Sequence, residues 1–217
     1  MYLNKDYVWS NNLQYTELSS VQKTSNKISR SIGIMCRLKR FLPLQILRLI
    51  YNSLILPHLQ YCVLAWGTKS SRLEKLQKRA LRIICNSKYN AHTEPLFKKL
   101  NLLKLSDIFK TKQARFYHRY VNNEVPVYFQ DIFSTNSDFH SHDTRSANEI
   151  RLTRTKTIHA DRGIRIMIPK TIAELPENVT AKFLTHSYNG FSRYLNRHII
   201  ESYQSACNLA NCYICQN

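Results

Sequence analysis

Glycine occurs only four times and proline six times in this chain of 217 residues, too few for a loop-dominated or low-complexity architecture. Acidic residues are scarce as well, 14 against 32 Lys and Arg, which leaves a formal charge of +18. An excess of that size points to a polyanionic partner, nucleic acid first and an anionic membrane surface second. The amino-terminal stretch MYLNKDYVWSNNLQYT has charges and amides where a secretory signal would have its apolar core. Without an export signal, the six cysteines read as thiols of a reducing, intracellular compartment, nucleus or cytoplasm. No internal repeat is visible. The length suffices for one large or two small domains with real cores.

The charge is concentrated. Residues 21–90 hold 14 Lys and Arg and one acid, Glu74, for a net +13, while residues 91–217 hold 17 basic and 11 acidic residues. Residues 1–20 form a lead-in, and the basic segment predicts three helices. Over Val21–Arg40, Ile28, Ile32 and Met35 recur at helical spacing, with Lys23, Lys27 and Arg30 on another face and Arg37, Lys39 and Arg40 beyond them. From Leu44 to about Trp66 apolar residues run nearly all the way round, as in a helix surrounded by neighbours. Pro43 suits its start, and Pro57 should kink or break it. The third helix starts near Ser71, with Glu74 completing a capping box. Leu73, Leu76, Ala80, Ile83 and Ile84 make its inward stripe, with Lys75, Lys78, Arg79 and Arg82 opposite. A merely solvated face would interleave Glu with Lys, since each such pair adds about 0.2–0.5 kcal/mol. Here the acids are missing from two helices, so these ten cations are the candidate phosphate-binding residues. No membrane partner is expected: a span needs about 20 apolar residues, and the Ile50–Gly67 run is interrupted by Asn52, Ser53, Pro57, His58 and Gln60.

The remainder predicts a helical connector over 91–133, with helices over Glu94–Leu100 and Ser106–Asn122, and a polar linker at 134–144. In 145–205, Glu149–Thr157 and Gly163–Ile168 suggest a small β-hairpin, and Ala181–Tyr203 a long final helix. The class is therefore mainly α. The His140-Ser141-His142-Asp143 run lacks a fourth metal partner. In the tail, 206–217, Cys207, Cys212 and Cys215 are the residues that would ligate zinc if a fourth, such as His198, joined them. Without that ligand the expectation is an uncoordinated terminus and no cofactor. No Gly-x-Ser-x-Gly nucleophile motif is present.

Several of these stretches also carry a family resemblance. Lys27-Ile28-Ser29-Arg30-Ser31-Ile32-Gly33-Ile34, then Leu42-Pro43, then Ile50 to Tyr61 closing on Ala65-Trp66-Gly67, occur in that order. Leu76 to Ile84, His92-Thr93-Glu94-Pro95-Leu96-Phe97, Leu102 to Asp107 and Thr144-Arg145-Ser146-Ala147-Asn148 follow. Together they resemble the region after the polymerase active site in reverse transcriptases of non-LTR retrotransposons of the jockey and related LINE type. The resemblance runs from about Trp9 to near Tyr203. It implies a three-helix thumb and a carboxy-terminal connector, with RNA or an RNA–DNA duplex held through its backbone and little preference for base identity. It also implies the palm of such an enzyme as a protein partner. The six Asp, at 6, 107, 131, 138, 143 and 161, are scattered singly, whereas two-metal polymerisation needs clustered carboxylates. The chain is therefore expected to be a non-catalytic fragment beginning with its own Met, not itself an RNA-directed DNA polymerase. In Ile168 to Pro176 the family commonly has Trp-Asn where this chain has Ile172-Ala173, a departure that fits decay. The alternatives are a host-adopted protein-interaction module that uses apolar surface once covered by the palm, and a product without function.

Overall fold

The structure, a computed structural model, describes residues 5–61, 63–66, 71–139, 145, 147 and 149–205, with the backbone alone for 5–20, 65, 66, 158 and 159. The described residues are mainly helical, and they divide into two compact units, Met1–Phe109 with Ile199–Asn217, and Lys110–His198. Among them no helix is long and apolar enough to cross a membrane.

The first unit begins with α1, Lys5–Leu38, so helix reaches back into the lead-in. Ser25, Ile28, Ile32 and Met35 are its buried stripe. Pro43 caps α2, Leu44–Leu54, its carbonyl accepting from the Ile46 and Leu47 N–H groups at 3.1 and 3.2 Å. Pro57 does break the helix. The chain turns at Ile55, and α3, Leu56–Gln60, restarts with the proline in its first turn, where a missing N–H costs nothing. A short α4, Val63–Trp66, follows. Across both breaks Leu47, Tyr51, Ile55, Leu59 and Val63 keep an every-fourth-residue buried stripe.

The expectation of a helix buried all round is corrected here. Leu49 is 62% exposed and Ile46 and Leu54 are exposed too, so α2 is not enclosed all round. The stripe of α5, Ser71–Ile84, is also rotated from expectation: Leu73, Gln77, Ala80, Leu81 and Ile84 are buried, and Leu76 and Ile83 are half-buried.

Gln77 is the hub of this unit. Its amide nitrogen donates to the Tyr51 hydroxyl and the Leu103 carbonyl, and its oxygen accepts from the Leu105 N–H, each at 2.9 Å. It thereby joins α5 to α2 and to the segment between α6, Glu94–Leu100, and α7, Leu105–Val121. Burial pushes the Tyr51 hydroxyl up to about 12, against the opposing effect of the Gln77 hydrogen bond. Above its ordinary value of 10.0 the unfolded chain releases this proton while the folded chain keeps it to about 12. Stability should therefore fall across that window by about 1.4 kcal/mol per pH unit from this group. Urea unfolding at pH 10 and 11 checks the sign, and Tyr51→Phe should flatten the dependence; an equal slope in the variant would contradict it.

Asparagine does the work of the scarce glycine. Asn86, Asn101 and Asn123 have φ of 50°, 54° and 57° and follow α5, α6 and α7. After each, the next residue's N–H returns to a carbonyl five residues back: Ser87 to Arg82, Leu102 to Phe97, and Glu124 to Arg119, at 2.8–3.0 Å. These bonds satisfy helix-end carbonyls in the Schellman arrangement, where asparagine tolerates the left-handed conformation.

Tyr203 closes the first unit. It is buried, its hydroxyl donates to the Asp107 carboxylate and accepts from the Lys104 N–H at 3.1 Å, and its ring lies edge-on to Phe97. The Lys104 ammonium sits 4.5 Å from the centre of that ring and pairs with Glu94 at 2.8 Å. Burial first, and then the Asp107 carboxylate, raise the Tyr203 hydroxyl above its ordinary range.

In the second unit, Phe116, Tyr117, Tyr120, Phe133, Phe183 and Phe191 build an aromatic core through edge and tilted contacts. His118 is buried within it, stacked on Phe191, and hydrogen-bonds the His186 carbonyl through Nε2 at 2.8 Å. That is the environment of a satisfied core histidine. Short helices α8, Ile158–Asp161, α9, Ile164–Ala173, and α10, Glu177–Thr180, precede the last pair.

The β-hairpin is not there. Among the described residues the one β-bridge joins Thr135 to Ile150, and 163–168 enters α9 with Gly163 as its cap. Ile166 and Ile168 are both buried, as are Pro169 and Thr171. A helix enclosed on two sides thus imitates the alternation of a strand. Nor is the final helix continuous: α11, Lys182–Thr185, ends at extended His186, and α12, Tyr188–Glu201, restarts behind Ser187. The Ser187 hydroxyl accepts from the Gly190 N–H at 3.3 Å, an N-cap in the middle of the expected element.

Candidate nucleic-acid interface

Helices α1 and α5 pack together, and two contacts fix their relative direction. An Arg72 guanidinium nitrogen donates to the Gln22 side chain, and the Lys39 ammonium lies 3.4 Å from the Asn86 amide oxygen. The start of α5 thus meets α1 near Gln22, and the ends of the two helices meet likewise. They run parallel for about 15 residues, or about 22 Å at 1.5 Å per residue.

Each carries its cations opposite its core stripe. At about 100° per residue, Lys23, Lys27, Arg30 and Arg37 fall within a sector of about 80° facing away from Ile28, Ile32 and Met35. Arg72, Lys75, Lys78, Arg79 and Arg82 fall within about 120°, facing away from Leu73, Gln77, Ala80 and Ile84. Lys23, Lys27, Arg30, Arg37, Lys39, Arg40, Lys75, Lys78 and Arg79 are all exposed. Arg82 differs: it is half-buried, and its Nε donates to the Ala91 carbonyl at 2.9 Å. It therefore supports the turn after α5 as well as contributing charge. Arg72 joins the row, a residue that sequence reasoning passes over because it precedes the regular part of the pattern.

Glu74 is the sole acid in residues 21–90, and α1 and α5 together hold ten Lys and Arg against three acids, Asp6, Glu17 and Glu74. Among the described residues Lys104 pairs with Glu94, Lys110 with Glu174, Arg119 with Glu124, and Lys170 with Asp161. Each helix thus carries its own row of exposed positive charge, the kind of face to which a backbone bearing about one negative charge per 1.7 Å is attracted. Long exposed side chains of this kind meet phosphate oxygens without reading base edges.

Three of the described Asp carboxylates have separate partners. Asp107 accepts from Tyr203, Asp138 caps the backbone at Thr135 at 2.6 Å, and Asp161 pairs with Lys170, which holds its carboxyl below the usual range. Among the described residues no group of three His, Cys, Asp or Glu converges to hold a metal. Cys207, Cys212 and Cys215, and the 140–143 run, lie outside the described residues. Comparison with protein-family models, with curated proteins and with solved structures gave no match.

Proposed function

We propose that the chain is a non-catalytic thumb-and-connector piece of a non-LTR retrotransposon reverse transcriptase, which holds template-primer nucleic acid by its backbone. The observation that carries the binding half is the pair of parallel helices whose exposed cations lie opposite their core stripes, with Glu74 the sole acid in residues 21–90. The ordered sequence resemblance supports the family half, and the lack of an adjacent Asp pair in the sequence supports a holding role rather than a chemical one. RNA or an RNA–DNA duplex is the partner, with weak sequence preference. Anisotropy titration of a labelled RNA–DNA duplex tests this: affinity should fall steeply with added salt as counterions are released. Salt-independent affinity would refute an electrostatic surface.

A second reading has its own observation. Phe41 is 82% exposed and Leu49 62%, and with Ile46 and Leu54 they make four exposed large apolar side chains within residues 41–54, a density that marks a partner surface where it is contiguous. A protein-interaction module, or the surface against which a palm would pack, accounts for that face. Light scattering separates the two readings: a salt-independent oligomer dispersed by Leu49→Glu favours protein interaction, and a monomer at all salt concentrations opposes it.

A further inference from the structure

The second unit contains a cavity of about 360 Å³, within the range of about 300–1,000 Å³ common for small-molecule sites. Backbone pairing builds its rim. The Arg151 N–H donates to the Ser134 carbonyl at 2.9 Å, the Asn136 N–H to Glu149 at 3.1 Å, and the Ser137 N–H to Ala147 at 2.9 Å. This pairing sets Arg151 against Ser134. Arg165, exposed in the first turn of α9, also lines the cavity, and that turn carries no acid.

Two features make this cavity more than a surface dent. The Arg151 guanidinium stacks 3.8 Å from the centre of the Phe139 ring, and its Nη1 is shielded from solvent without a hydrogen-bond partner. An unpaired guanidinium N–H is costly, and a turn of the Arg151 side chain into the cavity it lines would satisfy that N–H on an anionic acceptor. Phe133, fixed by edge contacts to Phe116, Tyr117 and Tyr120, supplies a rigid apolar wall, and Phe139, 59% exposed, supplies a second aromatic surface. Asp131 and Ser134 also line the cavity. A bare polyanion would meet the Asp131 carboxylate, whereas a ligand with one anionic end, a flat ring and donor-bearing edges matches all these groups.

We propose that this cavity binds a nucleotide, its phosphate held by the forks of Arg151 and Arg165 and its base set against Phe133 and Phe139. Asp131 accepts from ribose hydroxyls or a base amino group. The nucleotide comes either free or as the phosphorylated 5′ end of an RNA strand; both present the same chemistry. None of the lining residues belongs to α1 or α5, so this site stands or falls separately from the cationic helices.

Titration calorimetry on the full chain tests it with adenosine 5′-monophosphate and a 5′-phosphorylated oligoadenylate, using adenosine and inorganic phosphate as half-ligands. At least one nucleotide probe should bind about tenfold or more tighter than either half-ligand. Arg151→Ala and Arg165→Ala should each weaken it about tenfold or more, the effect of removing a hydrogen bond to a charged group. Binding of the monophosphate assigns a free nucleotide, and binding of the oligoadenylate alone assigns a strand end. If Arg151→Ala fails to fold, exposed Arg165 and the half-ligand comparison decide. Nucleotide binding no tighter than phosphate, or undiminished in Arg165→Ala, overturns the proposal, as does the absence of binding by both probes.

Discussion

Replacing Lys75, Lys78 and Arg79 together by Glu is expected to weaken binding of an RNA–DNA duplex by about a hundredfold at physiological salt, with folding intact. Each phosphate neutralised contributes about 0.9 times the logarithm of the inverse salt concentration to log K, so giving up three of them at about 0.15 M amounts to about two decades. The added negative charges repel the backbone and enlarge the effect. These three residues are exposed and outside the core, so thermal unfolding should move little. Arg82 is left out because its bond to the Ala91 carbonyl would mix a folding defect into the measurement. Duplex affinity within a factor of about two of the native chain would move the binding surface away from α5.

Gln77→Leu should cost about 3 kcal/mol of stability. The apolar replacement keeps most of the volume but leaves the Leu105 N–H and the Leu103 carbonyl without the side-chain partner each has now, and removes the donor to Tyr51. Buried groups stranded in this way cost about 1–3 kcal/mol each, against a total stability of about 5–15 kcal/mol for a typical domain. Urea unfolding measures it directly. A loss below about 1 kcal/mol would show that water or a rearranged backbone replaces the amide, and that Gln77 is not the joint of the first unit.

Gln77 also shows where sequence reading meets its limit. A binary pattern takes a glutamine between basic residues as surface and sets the stripe of α5 through Leu76 and Ile83. The fold instead turns the helix to bring the amide to three polar groups, two of them on the backbone, that nothing in the local pattern announces. The legible features are those with a local cause. Pro57 interrupts the second helical segment, Glu94–Leu100 is a helix with the expected limits, and the cations of α1 and α5 lie opposite their cores because 3.6-residue periodicity fixes both at once. The failures have equally physical sources. Ile166 and Ile168 alternate like a strand because α9 is enclosed on two sides, and the partner of the 149–151 segment is 134–137 rather than the segment that follows it. The Ser187 cap is visible as a serine three residues before Gly190, but a long apolar stripe from Phe183 to Leu195 masks the interruption. The cavity beside Arg151 has no sequence signal, since its lining comes from segments that read as connector, linker and strand.

The salt dependence of duplex binding in two proteins tests whether the cations of α1 and α5 hold a nucleic-acid backbone. Plotting log K against log salt for the native chain and for the triple Glu variant should give a steep negative slope for the native chain. The variant's slope should be shallower by about 2.7, about 0.9 for each phosphate no longer neutralised. Equal slopes for the two proteins would contradict the account, because charges that do not alter counterion release do not touch the phosphates.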